Sequence, residues 1–189
     1  MTATRPPIPV RLAGRPAQGG LVVPWVQVRL ADGAADFAAR HRSKSDRCFR
    51  EALCQLDGEP LGQPCVLLGG PAALEPGGYF DEPPLHPECA RYTAAACPMV
   101  AGRMTHFRAA PTVSTGTRGR TCPKPGCDCG GWFSTDPPPR DEPRPAHPWF
   151  AVWVDNYALA VSPDGELLGA ALTRPPLRVR PISATGGPA

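Results

Sequence analysis

The chain has 189 residues, 42% of them hydrophobic, with 27 prolines, 20 glycines and a net charge of +3. Proline and glycine at that level favour loop over packed core, so the length holds one small domain with long irregular stretches, and the mild charge excludes the dense basic footprint of a dedicated nucleic-acid binder. The opening "MTATRPPIPVRLAGRPAQGG" has no apolar run suited to a signal peptide and no segment approaches the ~18 apolar residues of a membrane span, so a soluble, cytoplasmic protein with no membrane partner is expected.

Residues 1–20 read as a Pro/Gly-rich arm that is flexible or extended, residues 21–183 as a single domain, and residues 184–189 as a flexible tail. In "LVVPWVQVRL" (21–30), Val26, Val28 and Leu30 alternate with Gln27 and Arg29, the period of a half-buried strand. Asp32-Gly33 marks a turn. Residues 34–53 then read as a helix or a broken pair of helices, with Phe37, Cys48, Phe49 and Leu53 turned to the core. That segment carries Arg40, Arg42, Lys44, Arg47 and Arg50, either a phosphate-contacting face or a solvated charged one. A tight Asp57-Gly58 turn leads to a short strand at Cys65–Leu68. Residues 82–99 predict a Pro-rich approach and a helix whose first turn holds Glu88 and Cys89 and which Pro98 stops. Residues 108–147 show no period at all, and a loop of that length needs something to organise it. Strands follow at 148–161 and 177–182 around a turn at 162–166. "PWVQVRL" (24–30) and "PWFAVWV" (148–154) echo one another, as two strands paired in one sheet would.

Eight cysteines in clusters, in a chain expected in a reducing compartment, point to metal rather than disulfides. "CQLD" offers Cys54 and Asp57, and "HPEC" offers His86 and Cys89, each pair separated by two residues. Such pairs on a turn and at a helix start can converge on one tetrahedral zinc ion, the logic of a treble clef, and the helix N-terminus favours thiolate over thiol. The alternative is that Asp57 serves only its own turn and that both cysteines are small apolar core residues. A second set, Cys122, Cys127 and Cys129, crowds "CPKPGCDC", with Cys97 or His106 to complete it. Along a helix from 89 to 97 the rise is about 12 Å, which keeps Cys97 from sharing an ion with Cys89. The expectation is therefore an α+β, zinc-stabilised, treble-clef-like domain with a short antiparallel sheet, holding one or two Zn2+ ions.

The stretches "RPPIPVRLA", "GLVVPWV", "CFREALCQLDGEPLG", "LHPECARYTAAACPM" and "PWFAVWVDNY" resemble a family of uncharacterised actinomycete and actinophage proteins over about Arg5 to Ile182. Members carry Cys-x2-Cys-Gly where this chain has "CQLDG", then a His- or Cys-x2-Cys-Ala element and an Ala-Cys-Pro element. The resemblance implicates Cys54, His86, Cys89 and Cys97, with Asp57 standing where the family's second cysteine does. It brings no activity with it.

No nucleotide-binding loop, Gly-x-Ser-x-Gly, His-Glu-x-x-His or zinc-deaminase pattern is present, so no catalytic residue is assigned. The function expected is a zinc-binding module that binds DNA or RNA, or an adaptor that meets a protein partner through "RPPIPV" and "DPPPRDEPRPAHP" in polyproline form. The alternative is a zinc-dependent hydrolase with Asp57 as its base, or an HNH-like nuclease, whose general-base histidine the sequence does not place.

Overall fold

The computed structural model describes residues 6–29, 33–106, 119–120, 132–133 and 145–183. In chain order its strands are β1 (Ala17–Gln18), β2 (Leu21–Val22), β3 (Gln27–Arg29), β4 (Ala35–Arg40), β5 (Cys65–Gly69), β6 (Gly119–Arg120), β7 (Trp132–Phe133), β8 (Trp149–Val154), β9 (Ala158–Val161), β10 (Leu167–Ala171) and β11 (Arg178–Ser183). The helices are α1 (Arg42–Arg50) and α2 (Pro87–Ala96), with 3-10 turns at Val10–Leu12 and Pro71–Leu74. The class is mixed α/β, built on small antiparallel sheets and two helices.

The largest sheet runs β11-β8-β5, all antiparallel, and it has a core on each face. Strand β8 shows why: Trp149, Ala151 and Trp153 pack to one side, while Phe150, Val152 and Val154 pack to the other. Strand β5 alternates in step, with Val66 and Leu68 against α2 and Cys65 and Leu67 against Phe49 and Phe80. Two-sided burial explains why both strands read as unbroken apolar runs. Beyond β5 the sheet continues as a bridge in which Val66 and Leu85 exchange backbone hydrogen bonds at 2.9 Å, fixing the chain just before α2.

Strands β5 and β11 and helix α2 lie where the sequence places them, and Cys97 forms the C-cap of α2 just before Pro98. Strand β8 ends at Val154; a bend at Asp155 and the residues after it separate it from β9, and the turn after β9 leads into β10, which has no counterpart in the sequence reading.

Three expectations are corrected. Residues 34–53 are not helical throughout. Ala35–Arg40 form β4, paired with β3, and only Arg42–Arg50 are helical. Alanine favours helix by a few tenths of a kcal/mol, less than strand pairing and burial supply here. The buried Gln27 side chain adds to that pairing by donating to the carbonyls of Asp36 and Ala39. Phe37 accordingly points outward and is exposed.

The Pro-Trp echo does not mark a strand pair, because β3 pairs with β4 while β8 sits between β11 and β5. Nor are residues 6–20 a free arm. Leu12 is buried at 1% exposure, β1 pairs with β2, and the Val22 N–H donates to the Tyr92 hydroxyl on α2 at 3.0 Å. Burying Leu12 alone stabilises the docked arm by about 2 kcal/mol.

Candidate metal centre

Residues 53–61 form a knuckle closed by its own backbone. Cys54 N–H donates to the Glu59 carbonyl at 2.9 Å, and Gly58 N–H donates to the Cys54 carbonyl at 2.8 Å. The Leu56 N–H donates to Cys54 Sγ at 3.4 Å, and Glu59 N–H to Asp57 Oδ1 at 3.0 Å. The turn needs Gly58 at φ +81°, where a Cβ would also lie 2.8 Å from the Trp25 indole. Gly58→Ala is therefore expected to cost about 2 kcal/mol or more in chemical denaturation, from the left-handed backbone and the clash together.

The second pair comes from the start of α2. His86 is its N-cap in extended conformation and Pro87 occupies the first turn, where a missing N–H costs nothing. Gln55 joins the two halves: its N–H donates to the Pro84 carbonyl at 3.0 Å and its side-chain amide to the Pro83 carbonyl at 2.7 Å. The knuckle and the approach to α2 are thereby held against each other.

The result is a group of four buried residues, Cys54, Asp57, His86 and Cys89, whose ligand atoms lie within 4.8 Å of one another. They lie close enough to hold a metal ion. Asp57 Oδ2 is central, 3.7 Å from Cys89 Sγ and 3.3 Å from His86 Nδ1. His86 Nε2 meets the Pro60 carbonyl at 3.0 Å; a carbonyl only accepts, so a ring proton sits on Nε2. That leaves Nδ1, buried and without a hydrogen bond, facing a carboxylate oxygen. Two bare electron pairs at that distance would repel, so the pair calls for a positive charge there, a proton on Nδ1 or a metal ion. Two sulfurs, one imidazole and one carboxylate are also a donor set that suits a tetrahedral divalent ion.

The two thiols are driven apart in acidity. Burial alone raises the Cys54 thiol, but the neighbouring Cys89 thiol and His86 ring, which favour its thiolate, outweigh it and bring Cys54 down to about 6. The same hydrogen bond to Cys54, with burial, pushes the Cys89 thiol far up. Its link to Cys54 raises His86 above the ordinary histidine value, against the opposing effect of burial.

The other cysteines stand elsewhere. Cys97 is half-buried beyond the end of α2, its thiol pushed up by burial and opposed by backbone N–H groups of Val100 and Met99. Its expected companions Cys122, Cys127 and Cys129 lie outside the described residues. Cys48 packs with Trp25, Val26 and Leu53, and Cys65 packs against the far face of the sheet.

The basic set is divided. Arg40 belongs to β4, not to a helix; it donates to the Asp81 carbonyl at 2.6 Å and pairs with Glu82 at 3.3 Å. Arg42 pairs with Asp46 and Glu166, and Arg47 with Glu51. Lys44 is buried, donating to the Trp25 carbonyl at 3.1 Å with its ammonium over the indole ring. Arg50 is exposed.

One residue beside the site escaped the sequence reading. Arg11 reaches Asp57 Oδ2 at 3.7 Å and Glu88 Oε1 at 2.7 Å. A partner 46 and 77 positions away leaves no local signal.

Comparison with protein-family models, curated proteins and solved structures yields no match. No helix among the described residues is long and apolar enough to cross a membrane.

Proposed function

We propose that this chain is a zinc-binding module whose ion is a structural staple of the treble-clef kind. A knuckle supplies Cys54 and Asp57, and a helix N-terminus supplies His86 and Cys89. The observation that carries the reading is the burial of all four donors around one point. Thiolates and imidazole favour zinc over the oxygen-seeking calcium and magnesium. A hydrolytic zinc of the HNH-like kind needs a coordination position open to water. With Cys54 and Cys89 at 0% exposure and Asp57 placed as the fourth donor, the arrangement favours a binding role over a catalytic one. The family that these stretches resemble fits the same proposal, with Asp57 standing where its members usually carry the second cysteine of Cys-x2-Cys-Gly.

Nucleic acid is the partner class to test first. Arg50, Arg178 and Arg180 are exposed and stand in no ion pair among the described residues, and Arg178 stacks on Trp153 at 5.3 Å. Arginine over a partly buried aromatic ring at the surface suits a phosphate backbone. Binding of DNA or RNA that weakens steeply between low and moderate salt supports this class. Salt-independent capture of a protein partner instead makes the module an adaptor.

Elemental analysis of the purified, reduced protein with thiol counting tests the metal itself. One zinc per chain is expected from this site, and a second if Cys97, Cys122, Cys127 and Cys129 hold another ion. A metal-free chain that melts identically with and without chelator refutes the proposal.

Zinc uptake should also follow pH with a definite sign. At pH 7 to 8 the Cys54 thiol is already ionised while the Cys89 thiol holds its proton. Binding there releases at least the Cys89 proton, so the logarithm of the affinity rises with pH at a slope of about 1 or more. Below about pH 6, Cys54 and His86 are protonated as well, and the slope steepens. Competition titrations against a chelating dye across pH 5.5 to 8 measure both limbs.

A further inference from the structure

We propose that Arg11 is a positioning residue for the metal centre, so that ion binding and docking of residues 6–23 are coupled; the inference rests on the zinc reading above. Two thiolates and a carboxylate around a divalent ion leave one negative charge in excess. Glu88, in the first turn of α2, adds a second beside it. Arg11 lies between these charges, its guanidinium within 3.7 Å of Asp57 Oδ2 and hydrogen-bonded through Nε to Glu88.

Asp57 needs this help more than a cysteine would. A carboxylate offers two oxygens and turns easily, so a metal-binding carboxylate is usually fixed by outer hydrogen bonds. Here Glu59 N–H takes Oδ1 and Arg11 faces Oδ2, the oxygen nearest Cys89 and His86. Arg11 is in turn fixed by its neighbours. The Val10–Leu12 turn is closed by the Leu12 N–H donating to the Pro9 carbonyl at 2.8 Å, and Leu12 is buried in the same core cluster as Cys54, Leu56 and Cys89. Further along, Arg15 donates to the Val23 carbonyl at 3.0 Å and Val22 is tied to Tyr92 of α2. Asp57 and Glu88 add to buried Leu12 and the Val22–Tyr92 bond in holding this segment, and the ion holds Asp57.

Two measurements test the coupling. In the parent protein, hydrogen exchange at the amides of Leu12, Val22 and Val23 is followed with zinc bound and after chelation. Their protection is expected to fall at least tenfold more than that of the Phe80 and Ala170 amides in the opposite core when zinc is removed, which separates undocking of the segment from loss of the whole fold. Zinc affinity is then compared for the parent, Arg11→Ala and Arg11→Lys by competition with a chelating dye. Arg11→Ala is expected to weaken zinc about 10- to 100-fold, the range typical of lost outer-sphere support, and Arg11→Lys to recover part of it.

Unchanged affinity in a folded Arg11→Ala protein, or equal exchange with and without zinc, overturns the inference. If Arg11→Ala does not fold, exchange in the parent protein decides alone. A parent protein that takes up no zinc refutes the proposed staple itself, a different failure from zinc uptake that ignores Arg11.

Discussion

On the zinc staple proposed above, chelation is expected to lower the melting temperature by tens of degrees or to abolish the cooperative transition. Zinc in small structural sites contributes apparent binding energies of order 10 kcal/mol, while a whole domain is stable by only about 5–15 kcal/mol. The four donors also sit at the junction of the fold: Cys54 and Cys89 belong to the core cluster that includes Val66 and Leu68 of β5 and Leu12 of the docked N-terminal segment. Without the ion, that cluster surrounds a carboxylate, two sulfurs and an imidazole with nothing between them, a buried polar group of the costly kind. Cys54→Ser and Cys89→Ser should each reproduce the effect of chelation and lower bound zinc by one ion per chain. Cys65→Ala, in the opposite core, should keep its full metal content. Calorimetry with elemental analysis on the same samples separates loss of metal from loss of fold. Serine variants with full zinc would exclude these sulfurs as ligands.

The four residues of the candidate site were legible because each pair is local. Cys54 with Asp57, and His86 with Cys89, announce themselves by a two-residue gap next to a turn and a helix start. How the pairs meet is not local. It depends on Gln55 bonding Pro83 and Pro84, and on Leu85 bridging to Val66, contacts between segments 19 to 29 positions apart. The strands β5 and β11 and the helix α2 were legible for a similar reason, since burial and capping mark them within a few residues. The 35–40 segment was not, because alanine-rich sequence favours helix until a partner strand appears. The same limit hid the fate of the arginines. Charge spacing places Arg42 and Arg47 on a helix but says nothing of Glu166 reaching one of them. For Lys44 the ring of Trp25, 19 positions earlier, turned an expected surface charge into a buried one.

The second large effect lies on the face of the sheet away from the Cys54–Asp57–His86–Cys89 cluster. Phe80→Ala is expected to cost about 3–5 kcal/mol, the usual range for a fully buried aromatic, and to lower the melting temperature by roughly 10 °C. Phe80 has 0% exposure, and its backbone is locked to Ala170 of β10 by hydrogen bonds of 2.8 and 2.9 Å. Two glycines make room for it. A Cβ on Gly69 would come within 2.7 Å of the Phe80 ring, and one on Gly169 within 2.0 Å of its carbonyl oxygen. A site so closely fitted, with its backbone held on one side by β10, has little freedom to collapse around an alanine, so the cavity persists and the upper part of the range applies. The loss should leave zinc stoichiometry untouched, because Phe80 and the site's Cys54 and Cys89 belong to different clusters on opposite faces of β5. Denaturant titrations with zinc bound should therefore give a lower midpoint at unchanged slope. If Phe80→Ala instead sheds zinc, the two cores are one cooperative unit, and the staple supports the far side of the sheet as well as the near one.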